Sequence, residues 1–438
     1  MKRAIFMIII VALFAGSFAG CGKKGKKNQG SKKPKREQLV KVNKRKLLVD
    51  FNKDKVFDPC FIKGVNYNPM PVGRHPNDTG WKKFEGEESR IDNIFGDEAL
   101  LERDFKLLKE MGCNTIRLWK ANSTFKKGKN RFTNRLTKKT LDMAEKYGIK
   151  VIAGFWLKTK PPQCGNSGPV YKTQDYTKEG IRKKHKKAFS RFVNNFKKHP
   201  AILFWAIGNG NNEDLDPMDF DQMQAFYSMI DEMAKAAHKI EGRAFHPVAF
   251  VNNGINTIGE IIYETEDINM PNLDIWGANV YRGESFGDLF ENYAQRSEKP
   301  LWIAEYGLDS WVSVNYASPG SGQEDQETQA KWVGKLWDEI AANKNIVIGA
   351  TIKEYSDEWW RPVELMRNRK HHRTHDYFGF GPKDSDCDGY LDWFPEAPDK
   401  FFHEEWFGLV SIEEGILELD KITPKKAYYT LKEKFTGN

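Results

Sequence analysis

The chain has 438 residues, of which 39% are hydrophobic, 29% are charged and 13% are aromatic. This composition excludes collagen-like, coiled-coil and wholly disordered proteins, and it supplies enough apolar residues for a large buried core. The formal net charge is +9, but residues 1–55 carry sixteen Lys and Arg against three Asp and Glu, which leaves a net charge of −4 on the rest. The charge distribution therefore does not predict that the chain after residue 55 binds nucleic acid.

The first twenty residues have the pattern of an export signal. Lys2 and Arg3 precede an apolar run over 4–18 that is too short to span a bilayer comfortably, so we predict a signal peptide over 1–20. The run ends in Ser-Phe-Ala-Gly-Cys21, which resembles the lipobox of bacterial lipoproteins, although that family usually has Leu where Phe18 stands. The alternative is an ordinary secretory signal followed by a chance cysteine.

The lipobox resemblance implies that Cys21 carries palmitate-type acyl chains and becomes the membrane anchor. More than one chain gives stable anchoring where a single chain would not. The expected location is a bacterial membrane facing the periplasm or the cell exterior. Gly22 is not an acidic residue of the kind that retains lipoproteins at the inner membrane, so the outer membrane is favoured.

Residues 21–55 contain the basic excess in a stretch rich in Gly, Ser, Pro and Lys, with almost no apolar residue before Leu39. Like charges repel one another, and so little apolar surface cannot offset the entropy of ordering the chain. We therefore predict a disordered basic tether over 21–55, which acts either as a plain spacer or also contacts anionic lipid headgroups. Residues 56–438 are left as the folded catalytic domain.

From residue 61 onward, short apolar runs alternate with amphipathic segments. Eight runs are present, at 61–68, 115–119, 151–157, 202–209, 247–252, 275–281, 301–306 and 347–355. The segments between them have helical spacing, as in Leu101, Phe105 and Leu108. Strands that alternate with helices predict parallel crossovers, and continuous apolar runs predict strands that are buried on both faces.

The fold prediction is α/β: a (β/α)8 TIM barrel with a long loop insertion after strand 8. A doubly wound open sheet is the alternative. Polar residues recur near the carboxyl end of the runs, where TIM barrels place their active sites. They are Asn66, Asn68, Arg117, Asn209, Asn252, Asn279, Tyr281, Glu305 and Glu354. No Gly-x-Gly-x-x-Gly follows the first run, which argues against a dinucleotide-binding fold.

The seventh run ends in Trp302-Ile-Ala-Glu305-Tyr-Gly, an acid at the end of an otherwise apolar strand. This segment resembles the nucleophile strand of retaining glycoside hydrolases of the large (β/α)8 clan. The relatives that it most resembles are the β-galactosidase and β-glucuronidase family and the fungal glucan transglycosylases. The motifs Ile-Lys-Gly-Val-Asn-Tyr-Asn-Pro69, Asn-Thr-Ile-Arg117-Leu-Trp and Ile-Leu-Phe-Trp-Ala-Ile-Gly-Asn209 are similar to their first, second and fourth strands.

The resemblance implies roles for these residues in a site for an oligosaccharide or polysaccharide. Glu305 is expected to be the nucleophile, with Arg117 and Tyr281 as its hydrogen-bond donors, while Asn209 holds the sugar and Asn68 lines the site. Trp359 or Trp360, after the eighth run, is expected to stack on the sugar. Each residue also has a structural alternative: a core ion pair for Glu305 and Arg117, packing for Tyr281 and a strand-end cap for Asn209.

Gly210 departs from the pattern of the clan, which has a Glu general acid/base directly after the Asn. Three explanations remain open. Glu213 or Asp214 supplies the proton from the following loop, Glu354 or Glu358 supplies it from the eighth strand, or no residue does. In the third case the enzyme needs an activated leaving group, or the protein is a noncatalytic carbohydrate-binding lipoprotein.

A second site is predicted in the connection that follows the eighth run. Asp384, Asp386, Asp388 and Asp392 surround Gly389, and oxygen ligands that alternate along a tight loop suit Ca²⁺. Pro395 occupies the twelfth position, so the loop is not a complete EF-hand. We predict a structural Ca²⁺ here, with an acidic surface loop as the alternative, and we expect no cofactor for catalysis.

Overall fold

Eight parallel strands lie side by side in chain order and close into a barrel. The structure, a computed structural model, describes residues 37–73, 81–82, 90–91, 94–122, 126–127, 130–131, 136–160, 162–165, 168–314, 322–361, 397–415 and 419–437. The barrel strands are β1 Ile62–Asn66, β2 Thr115–Leu118, β3 Lys150–Phe155, β4 Ile202–Ile207, β5 Val248–Asn253, β6 Ile275–Asn279, β7 Leu301–Glu305 and β8 Val347–Ile352. Each lies within a predicted apolar run or within one residue of it. Pairing of β8 with β1 closes the barrel, which confirms the TIM-barrel prediction and excludes the open sheet.

The strands are apolar along their whole length because both of their faces are buried. One face contributes to a cluster inside the barrel that includes Ile62, Ile152, Phe204, Ile275, Trp302 and Ile348. The other face packs against the surrounding helices, as where Phe155 contacts Phe189 and Phe192. This two-sided burial explains why the strands appear in the sequence as continuous runs.

Helices surround the barrel where the amphipathic spacing predicts them. Their bounds are α1 Glu98–Glu110, α2 Lys138–Tyr147, α3 Glu179–Phe196, α4 Phe220–Glu241, α5 Leu289–Arg296, α6 Gln326–Ala342 and α7 Lys426–Thr436. The ends of α2 have clear local causes. Thr137 caps its first turn by accepting from the Thr140 amide, and Gly148 ends it in the left-handed region at φ 68°. Between β5 and β6 the fully described connection contains only a short 3₁₀ turn, Ile261–Tyr263.

The folded part of the chain begins earlier than the sequence predicts. Strands Val40–Asn43, Lys46–Val49 and Asp58–Pro59 form a small antiparallel sheet. Val40, Leu47 and Val49 are buried and join the cluster inside the barrel, so the sheet covers the end of the barrel where the strands begin. The predicted tether is therefore wrong for residues 37–55, because apolar residues alternate among the lysines and form a hairpin. Residues Glu37–Asn438 constitute one compact unit.

The connection from β8 to α7 is long, as predicted. Its described part includes a 3₁₀ turn at Glu404–Trp406 and a hairpin of strands Val410–Glu413 and Lys421–Pro424. The backbone of Leu409 and Val410 pairs with Glu354 and Tyr355, just after β8. This connection therefore lies over the carboxyl ends of β7 and β8 and forms one wall of the barrel mouth.

Candidate active site at the barrel mouth

Glu305 is the last residue of β7, and its carboxylate is held by two side chains from other strands. Arg117 Nη1 lies 3.0 Å from Oε1, and the Tyr281 hydroxyl donates to Oε2 over 3.1 Å. The residue is 8% exposed, so it is mostly buried but not closed off from solvent. A carboxylate with a donor on each oxygen is fixed in orientation, as a nucleophile in a cleft requires.

Arg117 is fully buried and lies at the centre of the site. Nη1 also donates to Asn66 Oδ1 at 2.9 Å and to the Ala304 carbonyl at 3.0 Å, and Nη2 donates to Asn209 Oδ1 at 2.7 Å. Burial lowers the pKa of the Arg117 guanidinium, whereas the charge of Glu305 acts in the opposite direction. Because the pair is buried, loss of either member would leave an uncompensated charge.

Asn209 has a defined amide orientation. Its Oδ1 accepts hydrogen bonds from Arg117 Nη2 and, at 3.0 Å, from Asn279 Nδ2, so its own Nδ2 is the group left to donate to a ligand. The residue is partly exposed. This arrangement suits an asparagine that binds a sugar hydroxyl. The neighbouring Gly208 has φ 70°, and the chain turns sharply there as it leaves β4.

Tyr281 follows β6 and packs edge-on against Phe402 and Phe407 of the connection after β8, with ring centroids 5.0 and 6.3 Å away. Burial and the adjacent Glu305 carboxylate raise the pKa of Tyr281 well above its ordinary value. The phenol therefore stays neutral and remains a hydrogen-bond donor over the physiological pH range. The sequence groups Tyr281 with Glu305, and the structure brings the two together.

Gly210, at the position where the resemblance leads us to expect an acid, has a backbone conformation that favours glycine. Gly210 has φ 71°, and its amide donates to the Val251 carbonyl at 2.9 Å. A Cβ at this position would lie 3.5 Å from Asn253 Cβ and 3.9 Å from Asn279 Nδ2, which are ordinary contact distances. The space for a side chain therefore remains, but the left-handed backbone disfavours any residue other than glycine.

Glu213 reaches the same region from the 3₁₀ turn Asn211–Asp214. Its Oε1 accepts from Asn253 Nδ2, the side chain that borders the space beside Gly210. Glu213 is exposed at the mouth, and the desolvation of its carboxylate by neighbouring protein atoms raises its pKa, the hydrogen bond from Asn253 opposes this, and the nearby Asp214 adds to it. The turn is tied to the end of β5, since Asn212 Oδ1 accepts from the Asn253 amide at 2.7 Å.

Asp214 and Asn252, two other polar residues of the sequence analysis, point elsewhere. The Asp214 carboxylate accepts from the hydroxyl of Thr159, in the connection after β3. Asn252 Oδ1 accepts from the Tyr227 hydroxyl at 3.0 Å and thus faces helix α4, outside the barrel. Asn253, which the sequence analysis did not select, is the β5 residue that faces the mouth. Strand alternation alone could have found it, since Ala249, Val251 and Asn253 share one face.

Glu354 and Glu358 form a buried acidic pair beside the mouth, and each is 1% exposed. Glu358 Oε1 accepts from Asn68 Nδ2 at 2.7 Å, and Oε2 lies 2.6 Å from Arg361 Nε. Burial and the charge of Glu358 raise the pKa of Glu354 well above its ordinary value. Asn68 is buried and its amide donates to Glu358, so it supports the wall of the mouth, and its contact with a sugar stays a prediction.

The tryptophans predicted to stack on sugar are also largely buried. Trp359 is 7% exposed and packs against Val72 and Ile412, while Trp360 is 9% exposed and its ring lies 4.8 Å from the Arg361 guanidinium. Their exposed fractions are close to that of Glu305, at 8%, so stacking on a sugar stays a prediction for both. Two further tryptophans at the strand ends, Trp119 after β2 and Trp156 after β3, are partly exposed.

Two predicted sites lie outside the residues that the structure describes. Cys21 is one, and the acidic loop of Asp384, Asp386, Asp388 and Asp392 is the other, so lipidation and calcium binding stay predictions. Within the described ranges, no cluster of three or more His, Cys, Asp or Glu is arranged to bind a metal ion. In the same ranges, no helix combines the length and the apolar character needed to cross a bilayer.

Comparison with known proteins identifies relatives of this chain. A family model described as glycosyl hydrolases family 2, TIM barrel domain, matches residues 87–361. The β-glucuronidases of Mus musculus and Rattus norvegicus are each 24% identical to the chain, over 299 and 297 residues. These matches cover 65% of this chain but only 39% and 38% of the two relatives, so the chain spans well under half of their length.

Solved structures show the same fold at low sequence identity. The Bifidobacterium dentium β-glucuronidase complexed with coumarin-3-O-glucuronide has a TM-score of 0.53 at 16% identity, covering 91% of this chain and 49% of that one. A Ruminococcus gnavus β-glucuronidase has a TM-score of 0.54 at 13% identity and covers 91% and 53%. The family model, by contrast, matches well over half of the sequence. The chain therefore belongs to glycosyl hydrolase family 2, through the TIM barrel domain of that family.

Proposed function

We propose that this protein is a retaining glycosidase that acts on a β-linked glycan, with Glu305 as its nucleophile. The observation that carries the proposal is the carboxylate at the end of β7, held at the barrel mouth by Arg117 and Tyr281. Membership of the glycosyl hydrolase family supports the reaction class. The relatives named above are β-glucuronidases, but the chain spans well under half of their length, so the proposal assigns no particular sugar.

The proposed reaction has two steps. In the first, a Glu305 oxygen bonds to the anomeric carbon while the bond from that carbon to the leaving oxygen breaks, and the leaving oxygen accepts a proton. In the second, water or a sugar hydroxyl attacks the same carbon, loses its proton to a base and releases Glu305. Water gives hydrolysis and a sugar hydroxyl gives transglycosylation. Both outcomes retain the configuration of the anomeric carbon.

We assign the proton transfer to Glu213. Its carboxyl group contacts Asn253, next to the space beside Gly210, and its raised pKa favours a protonated acid. Glu354 and Glu358 fit the role less well because both are buried and Glu358 is committed to Asn68 and Arg361. Asp214 is held toward the connection after β3 by Thr159.

A noncatalytic carbohydrate-binding protein is the second candidate function. It is favoured by Gly210, since the chain has no acid directly after Asn209 and a retaining hydrolase needs two carboxyl groups. In that case the barrel mouth would keep its sugar contacts while turnover is lost. Binding without formation of a covalent intermediate would characterise this candidate.

Covalent trapping separates the two functions. The protein is incubated with a panel of 2-deoxy-2-fluoro-β-glycosyl fluorides, of the gluco, galacto, manno and glucurono series, and peptides are analysed by mass spectrometry. We expect one glycosyl adduct on the peptide that contains Glu305 and none in Glu305→Gln. Glu284→Gln, an exposed acid beyond β6, is the matched control and should label normally. No adduct with any sugar, together with measurable glycan binding, would favour the noncatalytic candidate.

We further propose that Cys21 is lipidated and anchors the protein to a bacterial membrane, with the outer membrane as the destination. Support comes from the charged start, the short apolar run and the small residues before Cys21. Metabolic labelling with an alkyne analogue of palmitate should mark the wild type but not Cys21→Ser. Fractionation of the membranes then identifies the location. Recovery of unlabelled wild-type protein free in the periplasm or medium would contradict the proposal.

A further inference from the structure

Two tryptophans form a partly exposed corner at the barrel mouth. Trp119 comes directly after β2 and Trp156 directly after β3, and their ring centroids are 5.4 Å apart with an angle of 64° between the planes. Both rings are partly exposed, whereas Trp205, Trp276 and Trp302 in the core have no exposed surface. Large aromatic surfaces left at a cleft usually contact a ligand, because their exposure to water is unfavourable.

Close approach of the backbone and hydrogen bonds from Asn122 hold the corner in place. A Cβ on Gly154 would come within 2.5 Å of the Leu118 carbonyl and 2.8 Å of the Trp119 backbone, so glycine allows the ends of β2 and β3 to approach closely. Asn122 joins the two connections. Its Oδ1 accepts from the Trp156 amide at 2.6 Å, and its Nδ2 donates to the Trp156 carbonyl at 3.3 Å.

The strand order relates the corner to the reacting carboxylate. Trp119 comes directly after β2, the strand that carries Arg117, and the Arg117 guanidinium contacts Glu305. Trp156 comes directly after the neighbouring strand β3. In a closed barrel of eight strands, β3 stands across from β7, so the corner lies on the opposite side of the mouth from Glu305.

The corner also has polar groups at its edges. The Arg361 guanidinium lies 5.7 Å from the Trp119 ring, and Lys120 Nζ lies 5.0 Å from the Trp156 ring. Arg361 is held there by Glu358 and Glu404 and so helps to fix the Trp119 ring, whereas the exposed aromatic surface can accept the apolar C–H face of a pyranose. Apolar surface with few polar groups at its edge is typical of ligand sites, and the chemistry here fits a sugar ring.

We infer that Trp119 and Trp156 form a second sugar subsite, which binds a pyranose of the same glycan chain, next to the sugar that reacts with Glu305. The inference rests on the proposed function for that reacting sugar. It deepens that function by assigning an oligosaccharide or polysaccharide chain, and not a single sugar on an aglycone, as the substrate.

The test measures binding separately from turnover. Glu305→Gln is titrated by calorimetry with cellopentaose, laminaripentaose, mannopentaose and chitopentaose, alone and combined with Trp156→Ala or Trp119→Ala. We expect at least one pentasaccharide to bind, and each alanine substitution to weaken that binding by about 10- to 100-fold, as for buried aromatic anchors. Trp156→Phe should recover part of the loss. Tyr429→Ala, an exposed aromatic on α7, is the matched control and should bind like the parent.

Steady-state kinetics supply a second readout in the protein that retains Glu305. Trp156→Ala should raise KM for the pentasaccharide while kcat/KM for the corresponding aryl monoglycoside stays within about threefold, because only the chain reaches the subsite. Equal losses on both substrates, unchanged pentasaccharide binding in both Trp variants, or no binding of any pentasaccharide would overturn the inference.

The two proposals fail in different ways. Pentasaccharide binding that depends on both tryptophans, without any fluoroglycoside adduct, would leave the subsite standing and reject the nucleophile. An adduct on Glu305, together with pentasaccharide binding that neither Trp variant weakens, would support the nucleophile and reject the subsite.

Discussion

Glu305 illustrates how one residue can be predicted from sequence while its environment cannot. An acid at the end of an apolar strand is costly to bury unless donors surround it, and the structure supplies those donors from β2 and β6. Arg117 was predictable because, like Glu305, it lies near the carboxyl end of an apolar strand. Its bonds to Asn66 and to the Ala304 carbonyl join residues far apart in the chain and appear only after folding.

The first residue-scale prediction concerns Tyr281. Replacement by Phe removes the hydrogen bond to Glu305 Oε2 and leaves the packing against Phe402 and Phe407 nearly unchanged. If Glu305 is the nucleophile, kcat/KM should fall by about 10²- to 10³-fold, as is typical when one donor in an active site is lost. The melting temperature, measured alongside, should stay close to the wild type. Unchanged kinetics would mean that the hydroxyl has no part in the reaction.

The second residue-scale prediction concerns the pH dependence that is expected if Glu213 is the acid. Because its pKa is raised, the protonated acid persists to higher pH than for an ordinary Glu, and activity should fall as the pH rises through that pKa. Glu213→Gln should abolish this alkaline limb and lower kcat/KM by about 10² to 10⁴ for substrates with poor leaving groups. Dinitrophenyl glycosides should be much less affected, since they need no proton.

External azide gives the control for this assignment. Azide should accelerate Glu213→Gln by replacing the missing base, with formation of a glycosyl azide, and should leave the wild type unchanged. Asp214→Asn, the adjacent acid that faces Thr159, is the matched variant and should keep the alkaline limb. Acceleration of the wild type by azide would show that no internal acid/base operates.

At the scale of elements, the barrel strands and most helices follow from local pattern. An apolar run or a helical spacing can be recognised in the sequence because it depends only on which residues of one short segment are buried. The amino-terminal sheet was missed because the net charge of residues 21–55 outweighed the alternating Val40, Val42, Leu47 and Val49. The lysines of this hairpin are compatible with it, since most of them face solvent while the apolar side chains enter the barrel.

The amino-terminal sheet leads to a prediction about truncation. A chain that begins at Glu37 should unfold at about the same temperature as the full chain without its signal. A chain that begins at Val56 loses Val40, Leu47 and Val49 from the inner cluster, each worth about 1.5 to 3 kcal/mol of burial. Its free energy of unfolding, from urea denaturation, should fall by several kcal/mol. Equal stability of the two chains would contradict a structural role for the sheet.

At the scale of the whole molecule, a buried ion pair connects the segments after β7 and β8 to the last helix. Lys425 Nζ lies 2.7 Å from Asp357 Oδ1 and donates to Ser310 Oγ at 3.0 Å, and Lys425 and Asp357 are each 1% exposed. Burial raises the pKa of Asp357 to about 6, and attraction to Lys425 limits the rise. The pair therefore ties α7 to the wall of the barrel mouth.

Replacing Lys425 by Met should cost about 3 to 5 kcal/mol of stability near pH 8, because it leaves Asp357 as an uncompensated buried charge. Loss of Lys425 also removes the attraction that limits the pKa of Asp357, so in the variant the carboxyl group takes up a proton above pH 6, and the cost should shrink as the pH falls toward about 6. Urea denaturation at pH 5 and pH 8 measures both values. Lys421→Met, at an exposed pair with Glu413, is the control and should change little. A cost independent of pH would contradict this account.

The sequence by itself determined the barrel, the strand order and the acid at the end of β7, because burial on both faces and a period of two or 3.6 residues are local properties. The tertiary structure alone decided that Trp119 and Trp156 are partly exposed, that Asn68 donates to Glu358, and that Glu213 meets Asn253 beside Gly210. Those outcomes depend on contacts between residues tens to hundreds of positions apart, and the exposure of a side chain is set by whatever packs over it.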